Sequence, residues 1–232
     1  MAVITDIGEL NEKSLHAALK AHYARPGDEV EVELDGYVID IVWDGLLLEI
    51  QTGNFAAINT KLHHLVQDHP LRLIYPIACE KWILKLPQEN GGEIVRRKSP
   101  KKGRVEEVFR EVVRIPHLLI HPHFSLEIAF IQEEEVRRYA GPHRWRRRGW
   151  EIVERRLVDV VGTRLFKTPA DWAALLPDTL PDPFTTQELA DVLGINRRLA
   201  QQMAYCLRKA DIIQLCGKRG KSNDYQRAKH KD

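Results

Sequence analysis

The segment Tyr37-Val-Ile-Asp40-Ile-Val-Trp-Asp44-Gly45-Leu-Leu-Leu-Glu49-Ile-Gln51 sets two carboxylates on either side of an Asp-Gly dipeptide. Asp-Gly between apolar runs reads as a two-residue hairpin turn. Trp43 then pairs with Leu46, and counting outward brings Asp40 opposite Glu49. Directly opposed carboxylates repel each other in an antiparallel pair. A hard divalent cation held between them, Mg²⁺ or Mn²⁺, removes that repulsion. Beside a phosphodiester, such an ion polarises the phosphate and lowers the pKa of an attacking water. Gln51 projects to the same face as Glu49, because side chains alternate along a strand. The opposite face (Ile39, Ile41, Trp43, Leu46, Leu48 and Ile50) is expected to supply the core.

The flanking elements decide whether those acids can be positioned. Leu15, Ala18, Leu19 and His22 share a helical face within 9–24, and Arg25-Pro26-Gly27 stops that helix. Strands are expected near 29–34, 37–43 and 46–51, turning at Asp35-Gly36 and Asp44-Gly45. Thr52-Gly53-Asn54 opens a helix over 55–68, closed by Pro70. The apolar strand 71–77 follows a helix and is therefore expected parallel to 46–51. A hairpin (82–86 with 93–98), a helix near 103–115 and a long strand near 124–138 continue a mixed α/β core.

Residues 9–77 resemble the core of the PD-(D/E)XK nuclease superfamily, which includes restriction endonucleases and Holliday-junction resolvases. The resemblance implies a restriction endonuclease-like mixed sheet flanked by helices, with metal ligands on the second and third strands. Asp40 stands at the second-strand aspartate, and Glu49-Ile50-Gln51 stands where glutamate–x–lysine usually lies. Glu12 matches the first-helix acid of many members, with Glu9 as its rival. The departure is Gln51 in place of lysine, and Lys61 on the following helix is the candidate replacement. The implied metal set is Asp40, Glu49 and the Ile50 carbonyl. Lys61 or Gln51 would orient water or offset developing charge.

Beyond Pro177, Pro181 and Pro183 the pattern changes. Thr185-Thr-Gln-Glu188 is a capping box, Gly194-Ile195 a tight turn, and Asn196 the cap of a second helix over 197–210. Strands at 212–216 and 222–226 flank Gly217-Lys-Arg-Gly-Lys221. This layout resembles a winged helix-turn-helix. Arg197, Arg198, Gln201, Gln202, Tyr205 and Arg208 are then candidates for phosphates and base edges in a major groove. Lys218, Arg219 and Lys221 are candidates for backbone phosphates.

Charge is unevenly spread. Residues 1–80 carry 5 Lys and Arg against 13 Asp and Glu, while 81–182 carry 20 against 15 and 183–232 carry 10 against 5. An acidic head with basic trailing segments fits a cation site joined to a polyanion-binding surface. Arg144-Trp-Arg-Arg-Arg148 is a further candidate for gripping a nucleic-acid backbone. His117, His121 and His123 cluster at prolines without a nearby cysteine, a pattern poor for zinc. Cys79, Cys206 and Cys216 are too scattered for a disulfide framework. No apolar run approaches a membrane span, and the first residues lack a signal-peptide pattern, so a cytoplasmic location is expected. The expected organisation is a nuclease-like domain over 1–140, a basic connector with a strand and a short helix over 141–182, and a winged helix-turn-helix over 183–232. The expected activity is metal-dependent hydrolysis of DNA, duplex or branched, with a homodimer common among the nucleases it resembles. The alternative is a catalytically inactive DNA-binding regulator on the same fold.

Overall fold

A computed structural model describes residues 7–88, 92–141 and 149–228, with side chains from Ser14 onward. Helix α1 (Ile7–Tyr23) precedes strands β1 (Glu29–Leu34), β2 (Tyr37–Trp43) and β3 (Leu46–Ile50), then α2 (Phe55–Leu65). Strand β4 (Leu71–Lys85), β5 (Val95–Lys98), the short helix α3 (Phe109–Val112) between two 3₁₀ turns, β6 (Phe124–Tyr139) and β7 (Trp150–Phe166) follow. The chain ends with α4 (Pro169–Ala173), β8 (Phe184–Thr185), α5 (Thr186–Leu193), α6 (Arg197–Lys209), β9 (Ile213–Arg219) and β10 (Ser222–Arg227).

The large sheet runs β1-β2-β3-β4-β6-β7, with β5 on part of β4. Both Asp-Gly turns form as the sequence requires. Asp35, Gly36, Asp44 and Gly45 all take positive φ, the conformation that a two-residue turn needs to match strand twist. β3 pairs in parallel with β4, and β4 in parallel with β6. The stretches 71–77 and 82–86, expected as separate strands, merge into the single strand β4, which is irregular between Ala78 and Glu80. The strand expected within the connector over 141–182 is β7, antiparallel to β6 and part of the main sheet. The residues Arg144–Arg148 lie outside the described residues.

Apolar side chains cover both faces of the sheet. On one, Leu15, Leu19 and Tyr23 of α1 pack on Ile41, Leu48, Ile50, Ile74, Ala129 and Ile131. Tyr23, not His22, completes the buried side of α1, and its hydroxyl donates to Glu127 at 2.8 Å. On the other face, α2, α3 and the C-terminal elements share one continuous core, with Trp172 stacked on Phe166 at 4.3 Å and close to Phe109. The expectation of one apolar and one polar face for β2 and β3 is corrected here. Ile39 packs with the α2 side and Ile41 with the α1 side. Regular alternation therefore breaks at Asp40. Opposite it on β1, between the pairs Val30–Ile41 and Val32–Ile39, Glu31 takes a φ of 53°, a rare backbone state for a residue with a side chain.

After Pro183, Thr185 and Glu188 form the expected reciprocal cap, and the Asn196 side chain accepts from the Leu199 N–H. Gly194 closes α5 with φ 63°, a left-handed cap that favours glycine. β8, β10 and β9 form a small antiparallel sheet in that order. Arg104 of the main body donates to the Gly194 carbonyl at 3.4 Å, and the shared apolar core ties the C-terminal module to the sheet.

Candidate active site and nucleic-acid interface

The break at Asp40 sets its carboxylate beside the end of β3. Oδ2 of Asp40 accepts from the Ile50 backbone N–H at 2.9 Å and lies 3.1 Å from His16 Nε2. Irregularities of this kind re-aim side chains next to functional sites. Ladder pairs run Trp43–Leu46, Val42–Leu47 and Ile41–Leu48 and end there; Asp40 and Glu49, the next residues outward, lie close enough for the Asp40 charge to act on Glu49. Glu49 is 5% exposed. Lys61 reaches it from α2: Nζ lies 2.6 Å from Glu49 Oε1 and donates to the Val38 carbonyl at 2.6 Å.

These neighbours push the two acids in opposite directions. Burial raises the Glu49 pKa; the Lys61 charge opposes this and the Asp40 charge adds to it, leaving it at about 7. Burial also works to raise Asp40, but the hydrogen bonds from His16 and Ile50 outweigh it and hold Asp40 below the usual carboxylate range. His16 is raised, chiefly by its bond to Asp40 and against its own burial. One carboxyl stays ionised while its neighbour titrates near neutrality, a separation typical of functional sites.

Among the residues expected from sequence, Asp40, Glu49, Ile50 and Lys61 come together. Gln51 does not face the acids: its side-chain amide donates to the Gly53 carbonyl within its own loop. Glu12 lies on α1, but its side chain is outside the described residues. His16, one turn further along that helix, is the α1 group that reaches Asp40. The signal for it was the four-residue spacing from Glu12, which puts both on one face. Among the described residues no group of three or more His, Cys, Asp or Glu could hold a metal. The acids nonetheless fit a hard cation. Asp40 uses Oδ2 in these contacts, and the Glu49 carboxylate meets Lys61 through Oε1 and the Asp40 backbone N–H. Mg²⁺ commonly takes one or two carboxylates and keeps several waters.

The sheet is interrupted next to this site. β3 ends as Gln51 N–H donates to Ile74 O, and the next donor on β4 would be Pro76, which has no N–H. β5 pairs with β4 only from Trp82 onward. A notch of about 200 Å³ lies there, lined by Thr52, Tyr75, Lys81, Lys101, Glu107 and Arg155 among others. Sequence reasoning did not single out these residues, since they come from four separated segments.

On α6, Arg197, Arg198, Gln201, Tyr205 and Arg208 are exposed and Gln202 is half-buried, while Leu199, Met203 and Leu207 face inward. Lys218 and Lys221 are exposed around the β9–β10 turn. Arg219 is a correction to the sequence expectation. Its guanidinium binds both oxygens of Asp224 at 3.0 and 3.1 Å and both of Glu188 at 2.8 Å. It clamps the hairpin to α5 and is not available as a free phosphate ligand.

No solved structure matches the chain. A protein of Treponema pallidum (strain Nichols), described as uncharacterized, is 33% identical over 223 residues, covering 95% of this chain and 87% of that protein. The family model described as "Domain of unknown function (DUF8091)" matches residues 13–167. That match runs from within α1 through the end of β7, including Asp40, Glu49, Lys61 and the notch, and the chain belongs to this family.

Proposed function

We propose that this protein is a divalent-metal-dependent DNA endonuclease whose cutting site is the Asp40–Glu49 pair and whose C-terminal module grips the duplex. The carrying observation is the pair itself: a part-buried acid on β2 beside a buried one near the end of β3, the first ionised and the second titrating near neutrality, with a lysine against the second. Asp40, Glu49 and the Ile50 carbonyl would hold Mg²⁺ or Mn²⁺. The chemistry such an ion supplies when bound is polarisation of a phosphoryl oxygen and acidification of a water. Lys61, already anchored by the Val38 carbonyl, stands in for the strand lysine that Gln51 replaces and would offset charge developing on the phosphate. His16 holds Asp40 in place and shields its charge. The restriction endonuclease-like reading is supported by the element order α1-β1-β2-β3-α2-β4 and the parallel β3–β4 pair. The winged-helix reading is supported by a glycine-turned helix pair followed by a hairpin, with an exposed polar stripe on α6.

The rival, an inactive DNA-binding regulator, is favoured by the Gln51 side chain, which is spent on its own loop. Supercoiled plasmid incubated with the protein and Mg²⁺ or Mn²⁺ separates the two. The enzyme reading expects nicked or linear product with wild type and none with Asp40→Ala or Glu49→Ala. Plasmid retardation without cleavage in either metal supports the regulator instead.

A further inference from the structure

The notch beside the acid pair has a chemistry of its own. Its walls carry Lys81 and Arg155, each about a quarter exposed, and both contact Glu133, which is fully buried. Lys81 Nζ also lies 3.2 Å from Glu135, which Arg137 neutralises from the other side. The rim carries Lys101, 67% exposed and 3.1 Å from Glu107, which Arg110 also contacts. Glu111 is held by the Phe55 N–H at the start of α2. Five cations therefore face four carboxylates, leaving one positive charge unmatched. Thr52 and Tyr75 add hydroxyl groups to the lining.

Two further features fix where this notch sits. It opens at the C-terminal end of a parallel strand, one residue beyond Gln51, where open α/β sheets receive ligands. The segment forming its rim is pressed onto β4: Gly103 N–H donates to the Ala78 carbonyl at 2.8 Å, and a Cβ there would come 2.5 Å from that oxygen. The next residue, Arg104, reaches the Gly194 turn between α5 and α6. The rim thus spans from the acid pair's neighbourhood to the helix pair.

We infer that the notch is a subsite for one backbone phosphate of the bound nucleic acid, set between the C-terminal grip and the Asp40–Glu49 pair. This rests on the DNA-cutting reading above. A phosphodiester brings one negative charge, matching the unmatched cation, and a notch of about 200 Å³ has room for a phosphate group. Lys101 is the cation least committed to the protein and is the group that closes on the phosphate.

The test is fluorescence anisotropy of a labelled mixed-sequence duplex in EDTA, titrated at several salt concentrations. Each phosphate contact contributes about 0.9 to the slope of log affinity against log salt. Lys101→Gln is expected to lower that slope by about one, so between about 50 and about 200 mM salt it loses about 3.5-fold less affinity than wild type. Lys101→Arg is expected to restore the wild-type slope. An unchanged slope in Lys101→Gln, together with a lowered slope in Arg197→Gln, overturns the notch and leaves the cutting reading standing. Absence of salt-sensitive duplex binding by the wild-type chain overturns both.

Discussion

Replacing Glu49 by glutamine turns the electrostatics of the site into a stability measurement. The folded chain holds the Glu49 proton with a pKa of about 7, against an ordinary value of 4.5. A carboxyl whose folded pKa is raised keeps its proton more tightly in the native state than in the unfolded chain. Stability is therefore unaffected below the unfolded value, falls as pH rises between about 4.5 and 7, and stays reduced above that. At about 1.4 kcal/mol per pH unit the full loss is about 3 kcal/mol. The side chain is buried, so solvent screening takes little from this figure. Glutamine has nearly the same shape and cannot ionise, and every other titrating group is common to both proteins. Urea unfolding of metal-free wild type and Glu49→Gln should agree near pH 4.5. The variant should then become the more stable by about 3 kcal/mol near pH 8. A difference that does not move with pH would refute the reasoning, because Lys61 would then compensate burial completely. A difference of opposite sign would show that the Lys61 ion pair dominates.

Four other outcomes follow from the same structure. Excess Mg²⁺, at about a hundred times its dissociation constant, should stabilise wild type by about 2.7 kcal/mol at pH 8 and leave Asp40→Asn unchanged in the same melts. Lys61→Met removes the counter-ion of a buried carboxylate, so thermal melts should show a larger loss at pH 8 than at pH 5, where Glu49 is protonated. Trp172→Ala empties the contact between Phe109 and Phe166 and should cost about 3–5 kcal/mol. Because one core joins the sheet to the C-terminal module, circular dichroism and a probe on α6 should then report a single coincident transition. Arg219→Gln should lower the melting temperature by releasing Glu188 and Asp224, while the salt slope of DNA binding stays at its wild-type value; a lowered slope would return Arg219 to the phosphate contacts.

Local chemistry was legible in the sequence, and long-range pairing was not. The two Asp-Gly turns, the Thr185 and Asn196 caps and the parallel course of 46–50 with 71–74 follow from turn propensity, capping and connection length, which depend on near neighbours. Register counted from Asp44-Gly45 holds for the pairs Trp43–Leu46 to Ile41–Leu48. The break in alternation at Asp40 was invisible, because it depends on the backbone of Glu31 across the ladder. The strand ending near Phe166 was expected, but its place against β6 in the main sheet was not fixed by sequence: Arg155 reads as a surface residue until Glu133, on the adjacent strand, is seen beneath it. Arg219 failed for the same reason, since its partner Glu188 is 31 residues away. The merger of 71–77 with 82–86 into β4 was obscured by the polar stretch Ala78–Lys81 between them, where the ladder to β6 is irregular. Thr168-Pro-Ala-Asp171 forms a second capping box that the sequence reading did not single out.

The central claim is that a divalent cation belongs between Asp40 and Glu49, and electron paramagnetic resonance of added Mn²⁺ tests it without any substrate. Wild-type protein at pH 8 should quench the free-ion signal to an endpoint of about one Mn²⁺ per chain, whereas Asp40→Asn and Glu49→Gln, shown folded by their melts, should leave the signal free. Equal uptake by wild type and both variants, or none by wild type, would contradict the account.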